Sequence, residues 1–380
     1  MKVYDAASIR NVALVGHGGS GKTQLASTML FDAGMVNRLG RVDDGTTVTD
    51  FDEEEIARRH TLAASLAHAE WNKTKINIID APGFGNFLSD ARAALRVADA
   101  GLVVVDAVAG VEVQTEQVWS AADELGLPRL VVVNRIDRDR ASLERALQSL
   151  RDVLNRTIVP IQLPIGEEKS FRGMVDLVAM KALVYQTDGS GTFKEGDVPA
   201  ELADAAKAAR DALIEMVAEA DDALMEKFFE AGTLTQDELV AGLRTATARG
   251  KVFPLLCASA ILNIGIQPLL DAIVAYVPSP ADTIARGTDS KTGQEVVRRA
   301  DPTLPVAAFV WKTIADPFAG RITMFRVMSG TLKSDTTVHN VARDMASLNA
   351  SEPASLNESS FESTWWKDPS NRVTRKSTIG

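Results

Sequence analysis

Three short clusters in the 380-residue chain hold the residue types of phosphate and metal chemistry. Residues 16–23 read GHGGSGKT, fitting the pattern G-x-x-x-x-G-K-[ST]. Glycines there let backbone N–H groups turn inward around phosphates without Cβ clashes. Gly16, His17, Gly18, Gly19, Ser20 and Gly21 would form that cradle. Lys22 would reach the β- and γ-phosphates, and the Thr23 hydroxyl would ligate Mg2+. Residues 78–87, IIDAPGFGNF, end an apolar run on Asp80, then turn through Ala81, Pro82 and Gly83 into Phe84. An aspartate so placed can hold the Mg2+ through a water, and the Gly83 N–H can contact a γ-phosphate. Residues 134–137, NRID, follow another apolar run. Asp137 can accept from both the ring N–H and the exocyclic amino group of guanine, donors that adenine lacks in that arrangement. Asn134 would tie this loop to the glycine-rich one, and Arg135 would lay its stem and flat head along the base, with Ile136 completing the loop. After FPLLC, Ala258, Ser259 and Ala260 are placed to offer backbone N–H groups to guanine O6.

These residues need a scaffold that brings loop ends together. Short aliphatic runs at 11–15, 76–79, 102–105, 130–133 and 253–257 alternate with helical patterns at 22–33, 113–125 and 141–153. Apolar residues in succession predict strands covered on both faces, and the alternation predicts a doubly wound α/β domain with a mostly parallel sheet. Ligands bind at the carboxyl ends of such strands, where all the clusters fall. The α/β domain is expected over 1–280. It carries an inserted α+β subdomain at about 157–250, with one long helix over 201–231. A polar linker is expected at 281–300, then an incomplete β-barrel domain at 301–344. Residues 345–380 are Ser/Asn-rich and read as a disordered or non-native tail.

A net charge of −10 argues against autonomous DNA binding through a basic surface. One cysteine excludes an internal disulfide, and four scattered histidines give no metal cluster. No apolar run has the roughly 18 residues of a membrane span, so no membrane partner and a cytoplasmic location are expected.

Taken together, GHGGSGKT, DAPG, NRID and CASA, in this order, resemble the translational GTPases, and most closely elongation factor G. Segments such as VVDAVAGVEVQTEQVW and DPFAGRITMFRVMSGTLKS carry the likeness over roughly residues 8–340. The resemblance implies a P-loop GTPase domain that takes GTP or GDP with Mg2+, and the ribosome as a partner. It aligns DFDEEEIARRHTL with that family's effector loop, which puts Thr61 at a Mg2+ position. Arg59 and His60 then stand where glycine and isoleucine are usual. Read as a plain surface helix, the same stretch would make Thr61 an ordinary threonine. In that family the residue after D-x-P-G is a histidine that orients the attacking water, and here Phe84 occupies the catalytic position. A phenyl ring cannot hold water by hydrogen bonding, so weak GTP hydrolysis is expected. The change of character near Met345 would suit a truncated or frame-shifted chain lacking the domains that translocation needs. A non-hydrolysing guanine-nucleotide switch, or an ATPase using the same glycine loop, are the alternatives.

Overall fold

The computed structural model describes residues 3–289, 292–316, 320–333, 337–341, 345–349 and 365–367. They divide into two compact units, Val12–Pro278 and a second one of Met1–Asn11 with Ser279 onward. In the first unit the strands are β1 (Ile9–Val15), β2 (Ser65–Trp71), β3 (Thr74–Asp80), β4 (Ala100–Asp106), β5 (Arg129–Asn134), β6 (Ile158–Pro160), β7 (Gln162–Ile165), β8 (Gly173–Asp176), β9 (Lys181–Tyr185), β10 (Phe193–Gly196) and β11 (Phe253–Cys257). The helices are α1 (Lys22–Asp32), α2 (Glu53–Arg58), α3 (Leu88–Val97), α4 (Val113–Glu124), α5 (Leu143–Leu154), α6 (Ala203–Ala218), α7 (Asp222–Ala231), α8 (Gln236–Ala248) and α9 (Ile266–Tyr276).

The central sheet runs β2-β3-β1-β4-β5-β11-β6. Its pairings from β1 through β4, β5 and β11 to β6 are parallel, and β2 joins β3 antiparallel. Every residue of β4 and β5 is buried, which requires cover on both faces. Leu14, Ile78, Leu102, Val104 and Val132 share one core with Leu25 and Met29 of α1 and Leu269 and Ile273 of α9. Their strand neighbours Val103, Val105, Val131 and Val133 point the other way by the two-residue period and are equally buried. Helices α3, α4 and α5 pack in series. The arrangement is the doubly wound, mostly parallel sheet that the alternation of runs predicts, and it sets the strand ends carrying the three clusters along one edge.

Between β6 and β11 lies the insertion, an antiparallel sheet in the order β10-β9-β8-β7 with α6, α7 and α8. Its start differs from the expectation. Ile158 and Pro160 pair with Phe253 and Leu255, so β6 closes the central sheet and the insertion begins after it. Three residues are too few to show a period. The helix expected over 201–231 is two helices, because the Asp221 carboxylate accepts from the N–H groups of Ala223 and Leu224 and caps α7 afresh.

In the second unit the segment expected as a polar linker is instead a hairpin of β12 (Ile284–Thr288) and β13 (Glu295–Arg299). Exposed and half-buried residues alternate along β13, and the turn is closed by Asp289 N–H to Gln294 O at 2.8 Å. An antiparallel five-stranded sheet follows, built from β14 (Ala307–Asp316), β15 (Gly320–Ser329), β16 (Thr337–Asn340), β17 (Met345–Asn349) and β18 (Trp365–Lys367) in the order β15-β14-β18-β16-β17. Two of these strands fall in the stretch read as an irregular tail: β17 pairs with its sequence neighbour β16, and β18 pairs with β14 and β16. The rest of 345–380 lies outside the described residues. Among the described residues no helix is long and apolar enough to cross a membrane.

Cys257, the single cysteine, is fully buried at the end of β11, and burial followed by the nearby Glu167 charge pushes its thiol up to about 12. Only the thiolate alkylates. The native chain at pH 8 should therefore stay unmodified by iodoacetamide while the denaturant-unfolded chain gains one adduct, as intact-mass measurement would show.

Candidate functional site

Because β1 ends at Val15 and α1 begins at Lys22, residues 16–21 must carry the chain from sheet to helix in a single wrap. The wrap ends on Gly21 at φ 90°, the left-handed region that favours glycine. The N–H groups of Gly18, Gly19, Gly21, Lys22 and Thr23 have no protein acceptor among the described residues. Unspent donors at a helix N-terminus make a cradle for an anion. His17 reaches away, its Nε2 lying 3.3 Å from Glu112 Oε1, and Ser20 Oγ donates to His17 O at 3.0 Å. Lys22 Nζ donates to the carbonyls of Gly16 at 3.0 Å and His17 at 2.8 Å. Burial pushes this amine down to about 8, against the opposing pull of Asp80.

Strand β3 neighbours β1 and ends beside this wrap. The Ala81 N–H donates to Leu14 O at 3.2 Å, and Ala81, Pro82 and Gly83 are all buried. A Cβ on Gly83 would fall 2.3 Å from Lys22 Nζ and 2.7 Å from the Gly18 nitrogen, so only hydrogen fits there. Phe84 comes next and is 41% exposed. Its ring edge lies where a Cβ on Gly18 would sit at 2.9 Å, over the glycine loop. On its other contact the ring meets His60, with centroids 4.8 Å apart and planes at 60°.

The oxygen-rich end is assembled from four segments. Thr23 Oγ1 lies 2.8 Å from Thr61 Oγ1, and Thr61 donates to Asp50 Oδ1 at 2.8 Å. Thr49 donates to Asp80 Oδ2 at 2.8 Å, while Asp80 Oδ1 is buried with no partner among the described residues. Burial first, and the Asp50 charge second, push the Asp80 carboxyl up to about 7. Asp50 is also raised, chiefly by burial. Two buried carboxylates with one orphaned oxygen suit a divalent cation. Two hydroxyl oxygens bound side by side to an octahedral Mg2+ at about 2.0–2.1 Å would stand about 2.9 Å apart, close to the spacing of Thr23 and Thr61. Thr61 is buried here and not an ordinary surface residue. Arg59, just before this pair, takes φ 56° at the C-cap of α2, the conformation for which glycine is favoured. Thr49 and Asp50 were missed from the sequence. They sit in a loop without period, and only the fold sets them beside Asp80.

At the opposite end, Asn134 Nδ2 donates to Ser20 O at 3.0 Å and Asn134 Oδ1 accepts from the Ala260 N–H at 3.0 Å. One side chain thus ties three loops. Arg135 pairs with Asp106 at 3.3 Å, and Arg138 shares the same oxygen at 3.2 Å. Ile136 is fully buried and anchors the loop from the core without reaching the cavity. Asp137 lines the cavity with Oδ1 buried and unpartnered among the described residues. Ala260 lines the cavity, but the N–H groups expected to face the base are used elsewhere. Those of Ser259 and Ala260 are committed to Ile264 O and Asn134 Oδ1, because a short bridge and the Asn134 clamp use them. The next residue, Ile261, lines the cavity, and its N–H has no acceptor among the described residues. The cavity measures about 310 Å3, in the range of small-molecule sites, and runs from Lys22, Thr23 and Thr61 to Asp137 and Ile261.

An elongation factor Tu GTP-binding domain model matches residues 7–279, and an elongation factor G domain 2 model matches residues 305–358. The second match runs beyond residue 344, where composition had placed the end of that domain. A crystal structure of a protein from Thermus thermophilus matches with a TM-score of 0.78 at 33% sequence identity, covering 98% of this chain and 53% of that one. The chain therefore spans about half the length of that protein.

The closeness of Gly83 to Lys22 sets a test. Gly83→Ala must displace either the lysine head or the glycine loop, and affinity for a nucleoside triphosphate should fall about tenfold or more, or about 1.4 kcal/mol, in a fluorescent-nucleotide titration.

Proposed function

The chain belongs to the elongation factor Tu GTP-binding domain family, and from that premise we propose that it is an elongation factor G-like protein that binds Mg2+ and GTP, hydrolyses GTP slowly and acts at the ribosome. The observation that carries the reading is one cavity with a lysine and unspent N–H donors at one end and the orphaned Asp137 carboxylate oxygen at the other. The first set fits a polyphosphate. The second fits a base that presents two adjacent N–H donors, as guanine does. Thr23, Thr61 and Asp80 would hold Mg2+, which when bound neutralises charge on the phosphates. Gly16 to Thr23 and Ala81 to Gly83 would hold the phosphates, with Asn134 to Asp137 and the 259–261 turn around the base.

Slow hydrolysis is supported by Phe84. Its ring lies on Gly18 and offers no acceptor to a water. The ribosome as partner is supported by the match to elongation factor G domain 2. The same phenyl ring favours a second reading, a guanine-nucleotide switch that binds without turnover.

Two measurements test these statements. Asp137→Ala should weaken GTP binding about tenfold to hundredfold, the worth of hydrogen bonds to a buried charge, and leave ATP binding no stronger. Phe84→His should raise ribosome-stimulated GTP hydrolysis about tenfold or more, read as released phosphate. A wild-type chain that turns over rapidly on ribosomes would defeat the slow-hydrolysis reading. A chain that binds GTP tightly with no stimulation at all would favour the switch.

A further inference from the structure

We infer that His60 positions the attacking water, taking from the facing loop the role that the residue after Gly83 does not fill. The inference rests on the GTP-hydrolysing reading above and concerns which side chain serves it.

Three observations carry it. His60 lines the same cavity as Lys22, Thr61, Gly83 and Phe84. On one side it is bonded in sequence to Thr61, whose hydroxyl lies 2.8 Å from that of Thr23. On the other its ring touches that of Phe84, the neighbour of Gly83, with the two planes tilted 60° to one another. The tautomer is also set. His60 Nδ1 lies 2.9 Å from the carbonyl oxygen of Arg58. A carbonyl can only accept, so Nδ1 carries the proton, and in the tautomer that this bond selects the lone pair is on Nε2. Among the described residues Nε2 has no protein partner. Finally, the carboxylates of the oxygen-rich end are already engaged, Asp50 by Thr61 and Asp80 by Thr49. The orphaned Asp80 oxygen is buried with the threonines that suit the metal. Phe84 then acts as a rest for the imidazole, holding it by ring contact over the glycine loop.

In the step this implies, a lone pair on the water oxygen forms a bond to the γ-phosphorus. The bond from that phosphorus to the β,γ-bridging oxygen breaks, and its electron pair stays with GDP. During attack one water proton is held in the hydrogen bond to His60 Nε2. It then passes to an oxygen of the released phosphate, so the imidazole ends as it began.

The test is single-turnover hydrolysis of radiolabelled GTP by the full chain, with and without ribosomes, beside the affinity for a non-hydrolysable GTP analogue. His60→Phe keeps a ring against Phe84 and removes the acceptor, and should slow hydrolysis about 10²-fold with no loss of analogue affinity. His60→Gln keeps an acceptor and should retain part of the rate. The exchange His60→Phe with Phe84→His should recover the rate lost by His60→Phe alone. A wild-type rate in His60→Phe would overturn the inference. So would a loss of rate that comes with a loss of analogue affinity and is not repaired by the exchange. A wild-type chain that binds the analogue but never hydrolyses GTP also overturns it, while leaving the nucleotide-binding reading in place. A chain that binds neither nucleotide nor analogue would fail both.

Discussion

Only a hydrogen atom fits on the α-carbon of Gly83, and the phosphate end of the site is built around that constraint. The backbone after β3 approaches the Lys22 head and the glycine loop more closely than any side chain permits. That approach needs β1 and β3 to be neighbours in the sheet, with Asp80 ending one and Val15 the other. It also needs the lysine stem to be buried, which lowers its pKa and leaves the amine folded onto the carbonyls of its own loop. Phe84 follows directly and lies over Gly18, and its ring meets that of His60.

Electrostatics follow from the same packing. Asp80 and Asp50 are both buried near a single lysine, and both carboxyls are raised. An isolated buried carboxylate without compensation tends to hold a proton. A divalent cation placed among Thr23, Thr61 and Asp80 would remove the reason for that shift. The oxygen-rich end is thus poorly satisfied by protein groups alone, unlike the Asn134 clamp, where both ends of the amide are engaged.

Much of this was legible in the residues because the clusters sit where local pattern is strongest. GHGGSGKT lies between an apolar run and a helix, and NRID follows a fully buried strand, so motif and element support one another. Where tertiary contacts decide, the sequence was silent or misleading. Thr49 and Asp50 have no period to mark them. Ser259 and Ala260 carry the right types, yet a bridge and a clamp take their N–H groups, so that Ala260 and Ile261 both line the cavity while only the Ile261 N–H is left without an acceptor among the described residues. Ile158–Pro160 is too short to announce a strand and exists by pairing with β11. The polar composition of 281–300 hid a hairpin whose strands need only alternate. Asp221 split a continuous amphipathic stretch because its carboxylate caps better than it continues a helix.

Arg59 carries a last consequence. Its φ of 56° lies in the left-handed region, where a residue with a side chain is disfavoured by about 1–2 kcal/mol relative to the right-handed one. Any rearrangement of the loop that frees Arg59 recovers that energy, which corresponds to about a fivefold to thirtyfold bias in an equilibrium constant. A glycine at the same position would store almost nothing. The loop that presents His60 and Thr61 therefore carries this strain at its first residue, and what offsets it is the Arg59 N–H bonded to the carbonyls of Glu55 and Ile56 at the end of α2.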